Sequence, residues 1–278
     1  MTMKEALSKC TVEKSALLAV NFYNFETLKG LLLAARDTGN SLILQLSESS
    51  LQYLGINPAV AMARSLLQEL GVTGWLHLDH GKDIGIIKKC LDAGFDSVMI
   101  DGSESSFEEN VRITKEVVKI AMPYGVNVEG ELGYIAKLGQ HQYVEPTSID
   151  DARRFEESTG INALAIAIGN AHGFYKEPPK LRLDRLAEIR SATRSALVLH
   201  GGSGIPDKDL QVAIRLGISK INLATETKNA FMKKLQLLLA NTTEIDLRKI
   251  FPPAISEIQD LITKKLNVIN LSKISSEA

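Results

Sequence analysis

Cysteine is scarce in this sequence. Its 278 residues hold two, Cys10 and Cys90, and neither lies in a CxxC pair or a zinc-ribbon spacing. That excludes a disulfide framework and fits a reducing cytoplasm, where we expect the protein to reside. Cys90, in IIKKCLDAGF, falls on the apolar face of a helix and reads as a small buried hydrophobe. Net charge is also missing: the formal value is -1, so no global field draws the chain to nucleic acid or an anionic membrane. Any anionic ligand must be held by a local device. No apolar run approaches the roughly 20 residues of a membrane span, and MTMKEALSKCTVEKSALLAV is too polar for a signal peptide. Nor does a G-x-G-x-x-G follow the first strand, which removes the usual warrant for a dinucleotide fold.

What is present is a normal globular balance, 45% hydrophobic and 23% charged, enough to bury a large core. Short apolar runs alternate with amphipathic segments. The runs are 15–21, 41–47, 75–80, 96–101, 126–132, 162–169, 196–201 and 220–225. Helical patterns span 24–37, 58–70, 83–93, 107–122, 184–192 and 225–239; others open near Ser148, which begins an S-x-x-D cap, and after IPD at 205–207. Runs such as ALAIAI are apolar on both faces, as a doubly covered parallel sheet requires. Eight βα units predict a closed (β/α)8 TIM barrel. We expect one domain over 1–278, with about 241–278 as a C-terminal extension containing a further helix at 251–265 and offering an oligomer contact.

A barrel sets its working residues at the carboxyl ends of its strands. Three of the five histidines fall there: His80 ends WLHLDH, His172 follows NALAIAIG, and His200 ends ALVLH. Three imidazoles with one open position form a catalytic zinc site, although cobalt or another divalent ion suits the same ligands. Asp79 precedes His80 and either exchanges a proton with a substrate or orients a loop. His77 reads as a satisfied barrel residue. Glu129 and Glu131 share one side of strand five, and Glu131, nearer the rim, offers either a second metal position or an internal salt bridge. HGGSG, 200–204, precedes a helix, and NLATET carries Thr225 to the start of another; together they suggest a phosphate cradle after strands seven and eight. Lys220 is the tempting Schiff-base lysine, but it begins strand eight and so lies away from the working face.

Those residues resemble the class II (zinc-dependent) fructose-bisphosphate and tagatose-bisphosphate aldolase family from about Leu17 to Phe231. The motifs include AVNFYNFETL, WLHLDHGK, LDAGFDSVMIDGS, VEGELG, ALAIAIGNAHGFYK, LVLHGGSGIP and KINLATETKNAF. The resemblance implies that His80, His172 and His200 bind zinc, that Asp79 moves the proton of the hydroxyl at the cleaved bond, and that Glu131 receives a displaced metal. It further implies that Gly173, Gly201, Ser203 and Thr225 hold the phosphate of dihydroxyacetone phosphate. Asn222 would contact the enediolate, and Asn21 and Ser47 would line the substrate site. A monovalent cation, Na+ or K+, on backbone oxygens around the HG pairs and a homodimer or homotetramer are implied as well. The expected reaction is cleavage of a ketose 1-phosphate or 1,6-bisphosphate, of fructose or tagatose type, to dihydroxyacetone phosphate and an aldehyde.

One stretch departs from the pattern. The family has an acidic loop reading roughly GGxEDD after ELG, and one of its glutamates is a mobile base. Here the loop is YIAKLGQHQYVEP, 134–146, with no acid at the matching place; Glu145 and His141 are the nearest replacements. Glu48, beside Ser47, would repel a second phosphate if it faced the site. Two other readings remain open: a non-catalytic sugar-phosphate-binding subunit or sensor that kept the pocket, and a barrel enzyme with different chemistry, such as an epimerase or a transaldolase-type transferase.

Overall fold

A computed structural model describes residues 1–133, 146–173, 175, 177 and 179–274, with side chains to 270. Eight parallel strands close into a barrel in chain order: β1 (Leu17–Asn21), β2 (Leu42–Ser47), β3 (Gly74–Gly81), β4 (Ser97–Ile100), β5 (Asn127–Leu132), β6 (Ala163–Ile166), β7 (Ala196–Leu199) and β8 (Ile218–Leu223). The predicted barrel is therefore the fold. Strand eight starts two residues earlier than the sequence reading placed it, at Ile218 instead of Lys220.

Helices α1 (Met3–Glu13), α2 (Phe25–Thr38), α3 (Glu48–Leu54), α4 (Ile56–Leu70), α5 (Ile84–Asp92) and α6 (Phe107–Ala121) serve the first half. The second half has α7 (Ile149–Thr159), α8 (Leu183–Ala192), α9 (Asp207–Arg215), α10 (Thr225–Leu239), the single turn α11 (Leu247–Ile250) and α12 (Pro252–Ile274). The cap read at Ser148 is real: its hydroxyl accepts from the Asp151 amide at 3.4 Å. None of the described helices is long and apolar enough to cross a membrane.

Alternation along each strand separates two cores. Leu18 and Val20 of β1 face the helices, whereas Ala19 faces the barrel interior with Ile43, Trp75, Ala163, Ala165 and Val198. Met3, Ala6 and Leu7 join that inner cluster, so α1 stoppers the amino-terminal end of the barrel. This helix was not read from the sequence. Its stripe, Met3, Ala6, Leu7 and Cys10, is short, but a capping box between Thr2 and Glu5 starts it.

α12 lies against α2, α9 and α10 and reaches β1. Ala254, Ile258, Ile262, Leu266 and Ile269 are its buried face. Each isoleucine or leucine so buried contributes about 1.5–3 kcal/mol, the alanine less. The approach to α2 depends on Gly30, where a Cβ would stand 2.7 Å from Cβ of Ile258 and 2.9 Å from the Ile255 carbonyl oxygen.

Above the inner apolar layer sits a polar one. Lys220 Nζ donates to Glu129 Oε2 at 2.7 Å and approaches His77 Nε2 at 3.2 Å. That leaves the His77 Nδ1 proton for Ser97 Oγ, 2.7 Å away, which also accepts from Asn127 Nδ2 at 2.9 Å. Burial, and then the Lys220 charge, hold the His77 ring neutral. His77 is thus the satisfied barrel residue expected. Lys220 is locked in an internal ion pair, not poised on the working face.

Candidate metal centre and active site

Adjacent residues of a strand normally point to opposite sides, yet Asp79 and His80 both serve the mouth of the barrel. The backbone achieves this at His80, whose φ of 52° is left-handed, and the β3–β4 register slips between Leu78 and Gly81. Strain is tolerated there because the ring is held: His80 Nδ1 lies 2.7 Å from Asp101 Oδ2. Asp101, just beyond β4, is itself fixed by the amide and hydroxyl of Ser103 at 3.1 and 2.7 Å.

His200 follows β7. Its Nε2 lies 2.9 Å from Glu129 Oε1, and its Nδ1 faces His80 Nε2 at 3.0 Å. His172 completes the trio, with ring centroids 5.0 Å from His80 and 5.6 Å from His200. One ligand-capable nitrogen from each ring lies within 4.8 Å of the others. Three imidazoles from β3, the β6–α8 connection and β7 therefore meet.

The donor set fits a divalent ion. Two of the three rings have their outward nitrogen committed to a carboxylate, which settles which nitrogen faces the centre. Glu131 Oε2 is buried without a hydrogen-bond partner among the described residues, 3.9 Å from His80 Nδ1 and 3.7 Å from His200 Nδ1. Burial, then the nearby Asp101, push the Glu131 carboxyl up to about 8. His80, Asp101 and Glu131 form a second ligand-capable group that shares His80 with the first. Burial opposes a charge on His80, but Asp79, Asp101 and Glu131 outweigh it and raise the ring to about 10.

Asp79 is buried and gripped by amides. Asn21 Nδ2 donates to Oδ2 at 3.0 Å; Gln45 Nε2 and Asn222 Nδ2 approach Oδ1 at 3.1 and 3.4 Å. Burial works against the ionised form, yet His80, His200, Lys220 and the Asn21 bond overcome it and lower this carboxyl below its ordinary range.

Beside Asp79 and His172 a small pocket is walled by Gly173, Gly201, Ser203, Asn222 and the start of α10 at Ala224 and Thr225. Gly201 has φ 63°, and a Cβ there would lie 2.1 Å from the Ala171 carbonyl oxygen, so only glycine allows the two loops to cross. The Gly202 amide donates to Asn222 O at 2.9 Å, and Ser203 Oγ accepts from the Glu226 amide at 3.2 Å. The glycine loop is thereby docked on the amino end of a helix, a ready anion site.

Asn21 and Ser47 stand at the rim outside that lining. Asn21 serves Asp79, while Ser47 Oγ caps α3 by accepting from Ser50 N at 3.3 Å. The Glu48 carboxylate accepts from the Lys82 amide at 2.6 Å, joining the β2 and β3 loops. His141 and Glu145 lie outside the described residues. Sequence reasoning missed Gln45, Asp101 and Tyr175. The Tyr175 hydroxyl accepts from the Ala171 amide at 2.7 Å and lies 3.1 Å from Gly201 O, stapling the His172 and Gly201 loops. Gln45 carried a usable signal: it is the one amide in LILQLS, two residues before Ser47 and on the same face.

A closed α/β barrel that brings three histidines, a gripped carboxylate and a glycine loop at a helix start to one mouth has the makings of a metal-dependent enzyme for an anionic substrate. The sequence matches the family Fructose-bisphosphate aldolase class-II over residues 1–273. It is 40% identical to the fructose-bisphosphate aldolase of Geobacillus stearothermophilus over 273 residues, covering 96% of this chain and 95% of that one. The corresponding enzyme of Staphylococcus aureus strain Mu50 is 40% identical over 281 residues, covering 98% of each. Among solved structures, the YdjI aldolase of Escherichia coli K12 superposes with a TM-score of 0.87 at 32% identity, covering 96% of both chains. The chain belongs to the class II fructose-bisphosphate aldolase family, whose members are zinc-dependent lyases acting on phosphorylated sugars.

Proposed function

We propose that this chain cleaves and forms the C3–C4 bond of a ketose 1-phosphate or 1,6-bisphosphate, of fructose or tagatose type, with the following division of labour. His80, His172 and His200 hold one zinc ion, which supplies Lewis-acid stabilisation of the negative charge that develops on the cleaved ketose. Ser203, Thr225 and the backbone at Gly173 and Gly201 bind the phosphate of the dihydroxyacetone phosphate half. Asn222 orients the adjacent oxygens, and Asn21 and Ser47 border the site.

During cleavage Asp79 takes the proton from the C4 hydroxyl as the C3–C4 bond breaks, and the bonding electron pair remains on the C3 side. The reverse step returns that proton. Glu145 or His141 delivers the proton that C3 requires before release. Glu131, with Asp101 and His80, offers the ion a second resting position. Backbone oxygens around His172–Gly173 and His200–Gly201 hold a monovalent cation, Na+ or K+. The chain works as one domain over 1–278, in the cytoplasm, as a homodimer or homotetramer.

The observation that carries this reading is the meeting of the three imidazoles beside a pocket walled by Asp79, His172 and the glycine loop. Retro-aldol assays on a panel of ketose 1-phosphates and 1,6-bisphosphates, with and without a chelator, test it. Metal-dependent release of dihydroxyacetone phosphate is expected. Tight binding with no turnover on any ketose would instead favour a sugar-phosphate sensor, and His200→Ala should lose zinc and turnover together.

A further inference from the structure

The phosphate cradle has a negative neighbour. Glu226, the second residue of α10, lies beside Thr225, and its Oε1 accepts from the Gly204 amide at 2.5 Å. The carboxylate thus pins the glycine loop to the helix. It also sits at the helix end where an incoming phosphate would gather, and two anions there repel each other.

The counter-charge comes from far along the chain. Lys265 of α12 places Nζ 3.5 Å from Glu226 Oε2 and 3.4 Å from Asp207 Oδ1, at the start of α9. The Lys265 and Glu226 side chains are only 14% and 16% exposed, so solvent screens this pair less than a surface one. Glu226 Oε2 has no hydrogen-bond partner among the described residues, which leaves the ammonium as its evident compensation. Two carboxylates and one ammonium flank the loop; without the lysine, an uncompensated pair would.

We propose that Lys265 is a positioning residue for phosphate binding: by neutralising Glu226 it lets that carboxylate hold the Gly204 loop without expelling the substrate's phosphate. The C-terminal helix thereby sets the affinity of a site formed by the β7 and β8 loops. The inference rests on the cradle reading above.

The test measures inorganic phosphate binding to the zinc-loaded full chain by calorimetry and by competition with the ketose phosphate. Lys265→Met should weaken phosphate binding about three- to tenfold at low salt, with zinc stoichiometry retained. The difference should shrink as salt rises, and Lys265→Arg should restore most of the affinity. In a Glu226→Gln background, loss of Lys265 should cost less than about twofold, because the repulsion is already gone. A merely structural lysine would show neither the salt dependence nor that rescue. Lys265→Gln serves if the methionine variant folds poorly. Phosphate affinity unchanged by Lys265→Met, or an equal loss in the Glu226→Gln background, overturns the proposal. Failure of phosphate to compete in the unaltered protein would overturn the cradle reading, and this inference with it.

Discussion

Replacing Lys220 with methionine isolates the ion pair at the heart of the barrel. Lys220 and Glu129 are both fully buried, joined at 2.7 Å, and Glu129 also accepts from His200. Methionine keeps most of the aliphatic volume and removes the ammonium. Glu129 is then left charged without its cation, and His77 Nε2 loses its donor. Removing one partner of a buried pair costs about 3–5 kcal/mol, chiefly because the other charge stays desolvated. For a chain of this size that corresponds to a melting temperature lower by roughly 6–20 °C. Urea unfolding in the presence of chelator reads the effect without a contribution from metal binding. The Glu129→Gln/Lys220→Met double variant, which leaves no stranded charge, should recover about half of the loss or more. A Lys220→Met cost below about 1 kcal/mol, or a double variant no better than the single, would refute the assignment of this pair as a mutually dependent buried unit.

Asp101→Asn should weaken zinc binding about 10- to 100-fold, read by competition with a chromogenic chelator, because His80 loses the carboxylate that fixes its ring; an affinity within twofold of the original contradicts it. Asp79→Asn should lower turnover by about 10²- to 10⁴-fold while zinc content stays at one per chain, and a fall of less than tenfold would remove Asp79 from proton transfer. Gly30→Ala should cost about 1–3 kcal/mol in unfolding free energy, since its methyl group meets Ile258 and the Ile255 carbonyl; full stability would mean that α12 shifts freely on α2.

The barrel was legible because eight apolar runs recur with helical segments between them, and a closed parallel sheet is the arrangement that covers both faces of runs like ALAIAI. His80, His172 and His200 were legible because each ends or follows a strand, and strand ends share one rim. The partners were harder. Asp101 and Gln45 become meaningful only once β2, β3 and β4 are set side by side, with Gln45 beside His77 in register. The inward turn of His80 depends on a positive φ that nothing in WLHLDHG announces. The first helix is faint in the sequence because four apolar residues among charged ones give little signal until the barrel floor they fill is known. The start of β8 falls two residues before Lys220, a shift that keeps the side chain on the same face, so Lys220 lies off the working face as expected; its buried partners Glu129 and His77 come from other strands and show only in the fold.

That first helix has a consequence for traffic. With Met3, Ala6 and Leu7 wedged among Ala19, Ile43 and Trp75, the barrel is a cup with a sealed base. Among the described residues the opposite mouth, where the histidines stand, is left as the doorway. Bulky cargo fused ahead of Met3 would tug on the seal while leaving that doorway clear.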